Sequence, residues 1–340
     1  MRPESKEPMT TAVVIPSYRV RDHIIGVIHR IGPEVKAIYV VDDCCPEGSG
    51  AYVEQQCNDP RVQVIKHEVN QGVGGATMTG YTAAIADGHS IIVKVDGDGQ
   101  MAPELIPQFI GPIQEGLADY TKGNRFYDLT HIGRMPAIRL IGNAALSFMS
   151  KFSSGYWEVF DPTNGFTAIH AKVASHLPMD RISKRYFFES DMLFRLNTMR
   201  CVVMDIPMDA LYADEVSNLR VRSVLGEFLG KHLKNFGKRI VYNYFLRDMS
   251  AASIYLVFGL ILTAFGSVFG TYHWIDSASH HTFTAPGTVM LAALPLIMGL
   301  QFLLAFLMHD TQSTPRIPLH NRLFSARHPS ADGSKPGARP

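Results

Sequence analysis

Two uncharged stretches near the C-terminus constrain the fold more than any other feature of this sequence. Ala251 to Trp274 and Gly287 to Met308 contain no Asp, Glu, Lys or Arg. As helices rising about 1.5 Å per residue, each is long enough to cross the roughly 30 Å hydrocarbon core of a bilayer. The connecting segment, Asp276 to Pro286, carries no Lys or Arg, whereas Lys238, Arg239 and Arg247 precede the first stretch and Arg316, Arg322 and Arg327 follow the second. The positive-inside rule then predicts two spans with both outer ends in the cytoplasm and a short external loop. A buried hairpin of a soluble domain is the competing reading.

Upstream, Leu219 to Arg247 repeats apolar residues at helical spacing: Val221, Leu225, Phe228 or Leu229, Leu233, Phe236, Ile240 and Tyr244. Between them stand Arg220, Arg222, Lys231, Lys234, Lys238, Arg239 and Arg247, with Glu227 the only acid before Arg247. A basic amphipathic helix beside a span is expected to lie on an anionic membrane surface. Packing of the same stripe onto the preceding domain is the alternative, and both can hold. Arg220 and Arg222 are placed to meet a lipid phosphate. The tail after Thr311 is rich in Pro, Ser and Arg and is expected to be disordered. At the other end, polar Met1 to Thr10 runs straight into a strand pattern, so no cleavable leader is expected.

Residues 11–218 alternate short apolar runs with helical patterns. Thr11–Pro16, Ala37–Val41, Val62–Ile65 and Ile91–Val95 read as strands, and the segments between them as helices. Strand, helix, strand, helix with short linkers predicts a mostly parallel, Rossmann-like sheet with helices on both faces. Each strand ends in polar groups: Pro16-Ser17-Tyr18, Asp42-Asp43, Asn70 with Gly72, then Asp96 and Asp98. Strand C-termini of such a sheet share one edge, where ligands bind, so these groups should line one crevice suited to a nucleotide.

The last of these turns carries the most chemistry. In Val95-Asp96-Gly97-Asp98-Gly99-Gln100 the two carboxylates, two residues apart, can converge on one hard cation, while the glycines allow a turn and close approach. A surface turn rich in Asp and Gly gives the same pattern, and an isolated D-x-D is a weak motif.

Several classes are excluded. No G-x-x-x-x-G-K-[ST] loop occurs, so a Walker-type NTPase is not expected. The Gly72–Gly75 loop follows the third strand, not the first, and Thr77 replaces the small residue of a dinucleotide fingerprint. A net charge of +1 does not suggest nucleic-acid binding. Cys44, Cys45, Cys57 and Cys201 show no metal spacing or disulfide framework, in keeping with reduced cytosolic thiols.

Further on come Gly123-Asn124-Arg125, the stretch holding Arg134, Arg139 and Asn143, and then Asp161-Pro162-Thr163-Asn164-Gly165. Glu189-Ser190-Asp191 opens a helix, where acidic residues also suit simple N-terminal capping. Asp42-Asp43, Asn70 with Gly72 and Ala76, Asp96-x-Asp98-x-Gln100, Gly123-Asn124-Arg125, Asp161-x-Thr163-x-Gly165 and Glu189-x-Asp191 occur in that order. As an ordered set over Thr11 to Asn218 they resemble the family 2 glycosyltransferases of GT-A fold. The D-x-D-x-Q form followed by C-terminal membrane helices is similar to the dolichol- or polyprenyl-phosphate sugar synthases. The Q-x-x-R-W element of processive polysaccharide synthases is absent.

The resemblance implies roles. Pro16, Tyr18, Asp42 and Asp43, with Asn70 and Gly72, would hold the nucleotide. Asp96 would support the sugar and ribose side. Asp98 and Gln100, with Asp96 beside them, would reach a Mg2+ or Mn2+ ion on the donor diphosphate. Where the family has Gly-Ser after the acidic pair, this chain has Cys44-Cys45-Pro46. Oxygen ligands suit either metal, and a departing nucleoside diphosphate needs its charge stabilised. Arg125, Arg134 or Arg139 would add contacts to phosphate, unless each forms a structural salt bridge. Glu189 and Asp191 would orient acceptor or sugar, and with a hydroxyl acceptor Asp191 would be the general base.

The sequence thus predicts a polar tail (1–10), a GT-A catalytic domain (11–218), a basic juxtamembrane region (219–248), two spans (249–310) and a cytoplasmic tail (311–340). The expected activity is inverting transfer of one sugar from a UDP- or GDP-sugar to polyprenyl phosphate at the cytoplasmic face. Arg220, Arg222 and Arg139 are the expected lipid-phosphate contacts, membrane lipids are partners, and homo-oligomers are allowed. Transfer to a hydroxyl of a lipid-linked glycan is the enzymatic alternative, and a degenerate membrane scaffold the non-enzymatic one.

Overall fold

The computed structural model describes residues 9–127, 137–208 and 221–323. Arg134 and Arg220 lie outside the described residues, as do the side chains of Arg139, Asn143 and Arg222. The first half follows the predicted alternation: β1 (Thr11–Ser17), α1 (Arg21–His29), β2 (Val35–Asp42), α2 (Ser49–Gln56), β3 (Val62–Lys66), α3 (Val73–Ala86) and β4 (Ile91–Lys94). Then come α4 (Ile106–Gln114), β5 (Tyr120–Asn124), α5 (Ala137–Ser154), β6 (Thr167–His170), α6 (Phe188–Thr198) and β7 (Val203–Pro207).

The strands form one seven-stranded sheet in the order β3-β2-β1-β4-β6-β5-β7. β1, β2, β3 and β4 pair in parallel, and β5 pairs in parallel with β7. β6 runs antiparallel to both β4 and β5, so the sheet is mixed. Ala12, Val13, Val14 and Ile15 of β1 are fully buried, as a central strand covered on both faces requires. Their side chains alternate: Val13 and Ile15 join the core containing Ile24 and Phe109, while Ala12 and Val14 join the core containing Ala76 and Tyr81. Helices α1 and α4 therefore cover one face and α3 the other, leaving the strand ends open for function.

Beyond the sheet, α7 (Val221–Val241) is one helix that runs on through a π turn, Tyr242–Arg247. Its orientation differs from a simple apolar-inside helix. His232, Asn235 and Arg239 are buried against the domain, while Leu229, Leu233, Lys234 and Lys238 face outward. Of the predicted stripe, Ile240 and Tyr244 are buried and Leu229 and Leu233 are exposed.

The two uncharged stretches form α8 (Ala251–Ser279) and α9 (Pro286–Gln312), whose most apolar 18-residue windows have mean hydropathy 2.0 and 2.3. Both are long and apolar enough to cross a membrane, and only 22% and 11% of their most apolar windows are buried. They pack antiparallel: Gly259 lies against Leu303, Gly266 against Leu296 and Gly299 against Thr263.

The expected disorder after Thr311 does not extend to the start of that tail. The N–H groups of Leu319 and His320 donate to the Asp119 carboxylate at 2.7 and 2.8 Å, and His320 Nδ1 lies 2.7 Å from Asp119 Oδ1. Asp119 is fully buried and needs such partners, which fixes residues 313–323 on the domain. Residues 324–340 lie outside the described ones.

Candidate functional site

The C-terminal ends of β1, β2 and β4 meet at a cavity of about 560 Å³. It is lined from β1 and the following turn by Pro16, Ser17, Tyr18, Arg19 and Val20, with His23 from α1. Asp43, Asn70, Gly72, Val73 and Ala76 form the next wall, and Asp96, Gly97 and Asp98 the floor beside β4. Arg185 and Tyr186, ahead of α6, close the far side. Of the residues expected to hold a nucleotide-sugar, Pro16, Tyr18, Asp43, Asn70, Gly72, Asp96 and Asp98 therefore meet at one place.

Asp42 and Asp43 have separate tasks. Asp42 is turned away from the cavity, accepting from the N–H groups of Cys45 and Gly50 at 2.7 Å each. It thereby fixes the turn before α2. Asp43 accepts from the N–H groups of Gln71 (2.8 Å) and Gly72 (2.7 Å) and pairs with His67 Nδ1 at 2.7 Å. Asn70 donates back to the Asp43 carbonyl at 3.1 Å. This one carboxylate folds the Asn70–Gly72 loop into the cavity wall. Gly72 has φ +85°, and a Cβ there would strike the Lys184 carbonyl, so only glycine fits.

The carboxylates of Asp96 and Asp98 differ in the same way. Asp96 Oδ1 is 2.6 Å from Lys94 Nζ, a fully buried ammonium on β4 that also donates to the Gly165 carbonyl at 3.1 Å. Asp98 Oδ1 accepts from Gln100 N–H at 3.0 Å, an Asx-type closure that shapes the turn. Among the described residues no group of three or more His, Cys, Asp or Glu side chains could hold a metal by itself. The donor set of two cavity-lining carboxylates suits a hard divalent ion, with further oxygen ligands needed to complete its coordination.

Behind this floor lies a buried charge cluster. Glu189 Oε1 is 3.8 Å from Lys94 Nζ. Burial lowers the Lys94 pKa but Asp96 and Glu189 outweigh it, so the ammonium is held above its usual range. Burial raises the Glu189 carboxyl, against the pull of Lys94 and Lys122. Lys122, on β5, donates to the Asn164 carbonyl, and burial brings its pKa down to about 8 despite Asp161 and Glu189. Arg125 pairs with fully buried Asp161 at 2.7 and 3.1 Å. Burial raises the Asp161 carboxyl, but the guanidinium holds it below the usual range.

Asp191 is engaged on both oxygens. Oδ2 accepts from Ser183 N–H (2.9 Å) and Arg195 Nε (3.1 Å), and Oδ1 from Asn235 Nδ2 (3.0 Å). Gln100, Arg125, Glu189 and Asp191 thus stand behind or beside the cavity and do not line it. Sequence reasoning missed Lys94, Lys122, His23, Arg185 and Tyr186. A lysine inside an apolar strand, as in Ile91-Ile92-Val93-Lys94, was a readable signal for the first; nothing local marked the others.

Residues 12–177 match the family model described as glycosyl transferase family 2. A polyprenol monophosphomannose synthase from Mycolicibacterium smegmatis is 30% identical over 204 residues, covering 58% of this chain and 76% of that protein. A UDP-N-acetylglucosamine–dolichyl-phosphate N-acetylglucosaminyltransferase from Methanococcus voltae is 29% identical, covering 59% of this chain and 86% of its own. Among solved structures, glucosyl-3-phosphoglycerate synthase from Mycobacterium tuberculosis, in complex with Mn2+, UDP-glucose and phosphoglyceric acid, is 18% identical with a TM-score of 0.50. That match covers 68% of this chain and 79% of the other, and shows a common fold.

Proposed function

The chain belongs to glycosyl transferase family 2, and we propose that it moves one sugar from a nucleotide-sugar to a polyprenyl phosphate at the cytoplasmic membrane face. One observation carries this reading: a nucleotide-sized cavity floored by Asp96 and Asp98 belongs to the same chain as an apolar helical hairpin. An acceptor confined to a bilayer requires an active site held at the interface. Relatives named for transfer to polyprenol or dolichyl phosphate support the acceptor class.

In this reading Pro16, Tyr18 and Asn70 hold the nucleoside, and Asp98, with Asp96 and Gln100 beside it, would hold a Mg2+ or Mn2+ ion. The ion supplies charge stabilisation for the departing nucleoside diphosphate. An oxygen of the acceptor phosphate attacks the anomeric carbon. The bond from that carbon to the diphosphate breaks in line, the diphosphate keeps the electron pair, and configuration inverts. Glu189 and Lys94 set the charge beneath the sugar, and Arg125 braces the neighbouring strand end through Asp161. Arg185 is assigned to the acceptor, and Arg139, Arg220 and Arg222 would bind the lipid phosphate.

A phosphate acceptor is already ionised near neutral pH and needs no general base. The rival, transfer to a glycan hydroxyl, needs a base at Asp191, whose oxygens already accept from Ser183, Arg195 and Asn235. The Lys and Arg residues flanking the hairpin support a cytoplasmic catalytic domain. The test is radiolabelled transfer from a panel of UDP- and GDP-sugars to undecaprenyl or dolichyl phosphate, with Mn2+ or EDTA. A metal-dependent, organic-soluble product from one donor is expected. Donor binding without any labelled lipid would move the acceptor to a glycan hydroxyl.

A further inference from the structure

Helix α7 turns a polar face toward the catalytic domain. His232, Asn235, Arg239 and Asn243, spaced three and four residues apart, lie on one side and are all at least nine-tenths buried. His232 Nδ1 meets Ser153 Oγ at 2.7 Å on α5, and Asn243, in the π turn, donates to Asn197 Oδ1 at 3.0 Å on α6. Arg239 pairs with Asp310 of α9 at 2.6 Å and donates to the Phe152 carbonyl at 2.9 Å. The outward side carries Leu229 and Leu233. α7 is therefore clasped both to a candidate span and to the domain that holds the cavity.

One of these contacts leads to the cavity wall. Asn235 donates to Asp191, and Asp191 in turn accepts from Ser183 N–H. The segment Arg181–Tyr186 is tied at neighbouring points as well. Arg195, the ion-pair partner of Asp191, donates to the Arg181 carbonyl, and the Lys184 carbonyl accepts from Gly74 N–H at 2.9 Å. What this short segment presents to the cavity is Arg185 and Tyr186.

We propose that Asn235 is a positioning residue, through which α7 holds the Arg181–Tyr186 wall of the cavity by way of Asp191. The physical basis is the hydrogen-bond inventory. Asp191 can only accept, and among the described residues Asn235 supplies its one donor from α7. Loss of that donor leaves a buried carboxylate oxygen unsatisfied, which favours states in which Asp191, and with it the wall, moves toward water. Arg239, one turn further along the same face, links this joint to Asp310 on α9, so the placement of the wall is tied to the placement of the hairpin. The kinetic side of the proposal rests on the transferase reading; the structural side does not.

The test uses the full-length chain in lipid nanodiscs and three variants: Asn235→Ala, Asn235→Asp and the exchanged pair Asn235→Asp with Asp191→Asn. Asn235→Asp sets two carboxylates against each other, and should speed amide hydrogen exchange at Ser183 and Gly74 by about tenfold or more, with β1 and β4 still protected. Asn235→Ala should act in the same direction. The exchanged pair keeps the hydrogen bond between the two positions with its direction reversed, and turns the Arg195 ion pair into a hydrogen bond to the amide oxygen at position 191. The amide introduced at position 191 can accept from Ser183 and donate to the carboxylate introduced at position 235, so protection should return. Donor KM should rise more than kcat falls in Asn235→Asp. Unchanged exchange at Ser183 in Asn235→Asp overturns the proposal, as does exchange that rises equally across the sheet or fails to recover in the exchanged pair. Absence of sugar transfer by the wild-type chain overturns the reaction assignment instead, and the exchange data then decide the role of Asn235.

Discussion

Lys94 Nζ sits 2.6 Å from Asp96 Oδ1, so of the two carboxylates on the cavity floor the first of the D-x-D pair is neutralised from inside the sheet. The two aspartates, two residues apart, should therefore respond differently to substitution. Asp98→Ala is expected to abolish Mn2+-dependent binding of UDP or GDP and to lower transfer at least about a hundredfold, and EDTA should do the same to the wild type. Lys94→Met removes the partner of Asp96 and Glu189 and should cost about 3 kcal/mol in chemical denaturation. Calorimetric nucleotide titration with and without Mn2+ checks the first expectation. An Asp98→Ala protein whose nucleotide affinity still rises with Mn2+ would sink the metal role.

Arg239 and Asp310 form a buried pair, with side chains 1% and 3% exposed, between α7 and the end of α9. Tyr244 donates to the same carboxylate at 2.7 Å. Removing one member leaves an uncompensated buried charge. Arg239→Met or Asp310→Leu alone is expected to destabilise by about 3–5 kcal/mol, whereas the double change should cost much less than the sum. Thermal unfolding in detergent measures the cycle. Additive effects would mean that the pair does not join the helices energetically.

Acid should loosen the domain at two histidines. Burial pushes His170 down to about 4, aided by His320 and Lys172 and opposed by Asp119, and burial does the same to His232. Both are therefore neutral in the fold at pH 7, against about 6.5 when unfolded. Between pH 6.5 and 4 the unfolded chain binds more protons, so stability falls as pH falls through that window, by about 2 kcal/mol per histidine at pH 5. His170→Asn, which can keep the cap on Lys172 N–H, and His232→Gln should each flatten the slope. Denaturation midpoints at pH 7, 6 and 5 read this directly. An unchanged slope in both variants would place the acid response elsewhere.

How much of this was legible in the sequence depends on the range of the interaction. β1 to β4 and the edge they share could be read because buried parallel strands are continuous apolar runs and their ends are marked by Asp, Asn and Gly. The same rule led to Asp98 and to the spans. The antiparallel insertion of β6 could not be read, because Thr167–His170 carries no mark of which neighbours it pairs with. The tie from Asp191 to α7 could not be read, since Asn235 stands 44 residues away. The α7 stripe could not be apportioned for a related reason: Ile240 and Tyr244 turn inward, Leu229 and Leu233 turn outward, and the groups that bind the domain are polar. Helical periodicity reports two faces but not which one is inside.

The turns after β1 and β2 are pinned together by a thiol, and that contact can be probed chemically. Cys45 Sγ accepts from Arg19 N–H at 3.1 Å and meets Ser49 Oγ at 2.9 Å. Both turns hold a non-glycine residue in the left-handed region, Arg19 at φ 59° and Cys44 at φ 54°. Such strain persists only where neighbours enforce it. Burial raises the Cys45 pKa, but the hydrogen bonds from Ser49, Arg19 and Glu47 outweigh it and leave the thiol below its ordinary value. Burial drives the Cys201 thiol well above the ordinary range. In a Cys44→Ser, Cys57→Ser background, a maleimide should therefore label Cys45 at least about a hundredfold faster than Cys201 at neutral pH. The adduct breaks the link to Arg19, which sits beside Tyr18 in the cavity wall, so labelling should weaken nucleotide binding. Bound nucleotide and Mn2+ should in turn slow the labelling. Mass-spectrometric rates with and without nucleotide settle it: equal rates at Cys45 and Cys201, or labelling indifferent to nucleotide, would show that this thiol does not hold the two turns that frame the site.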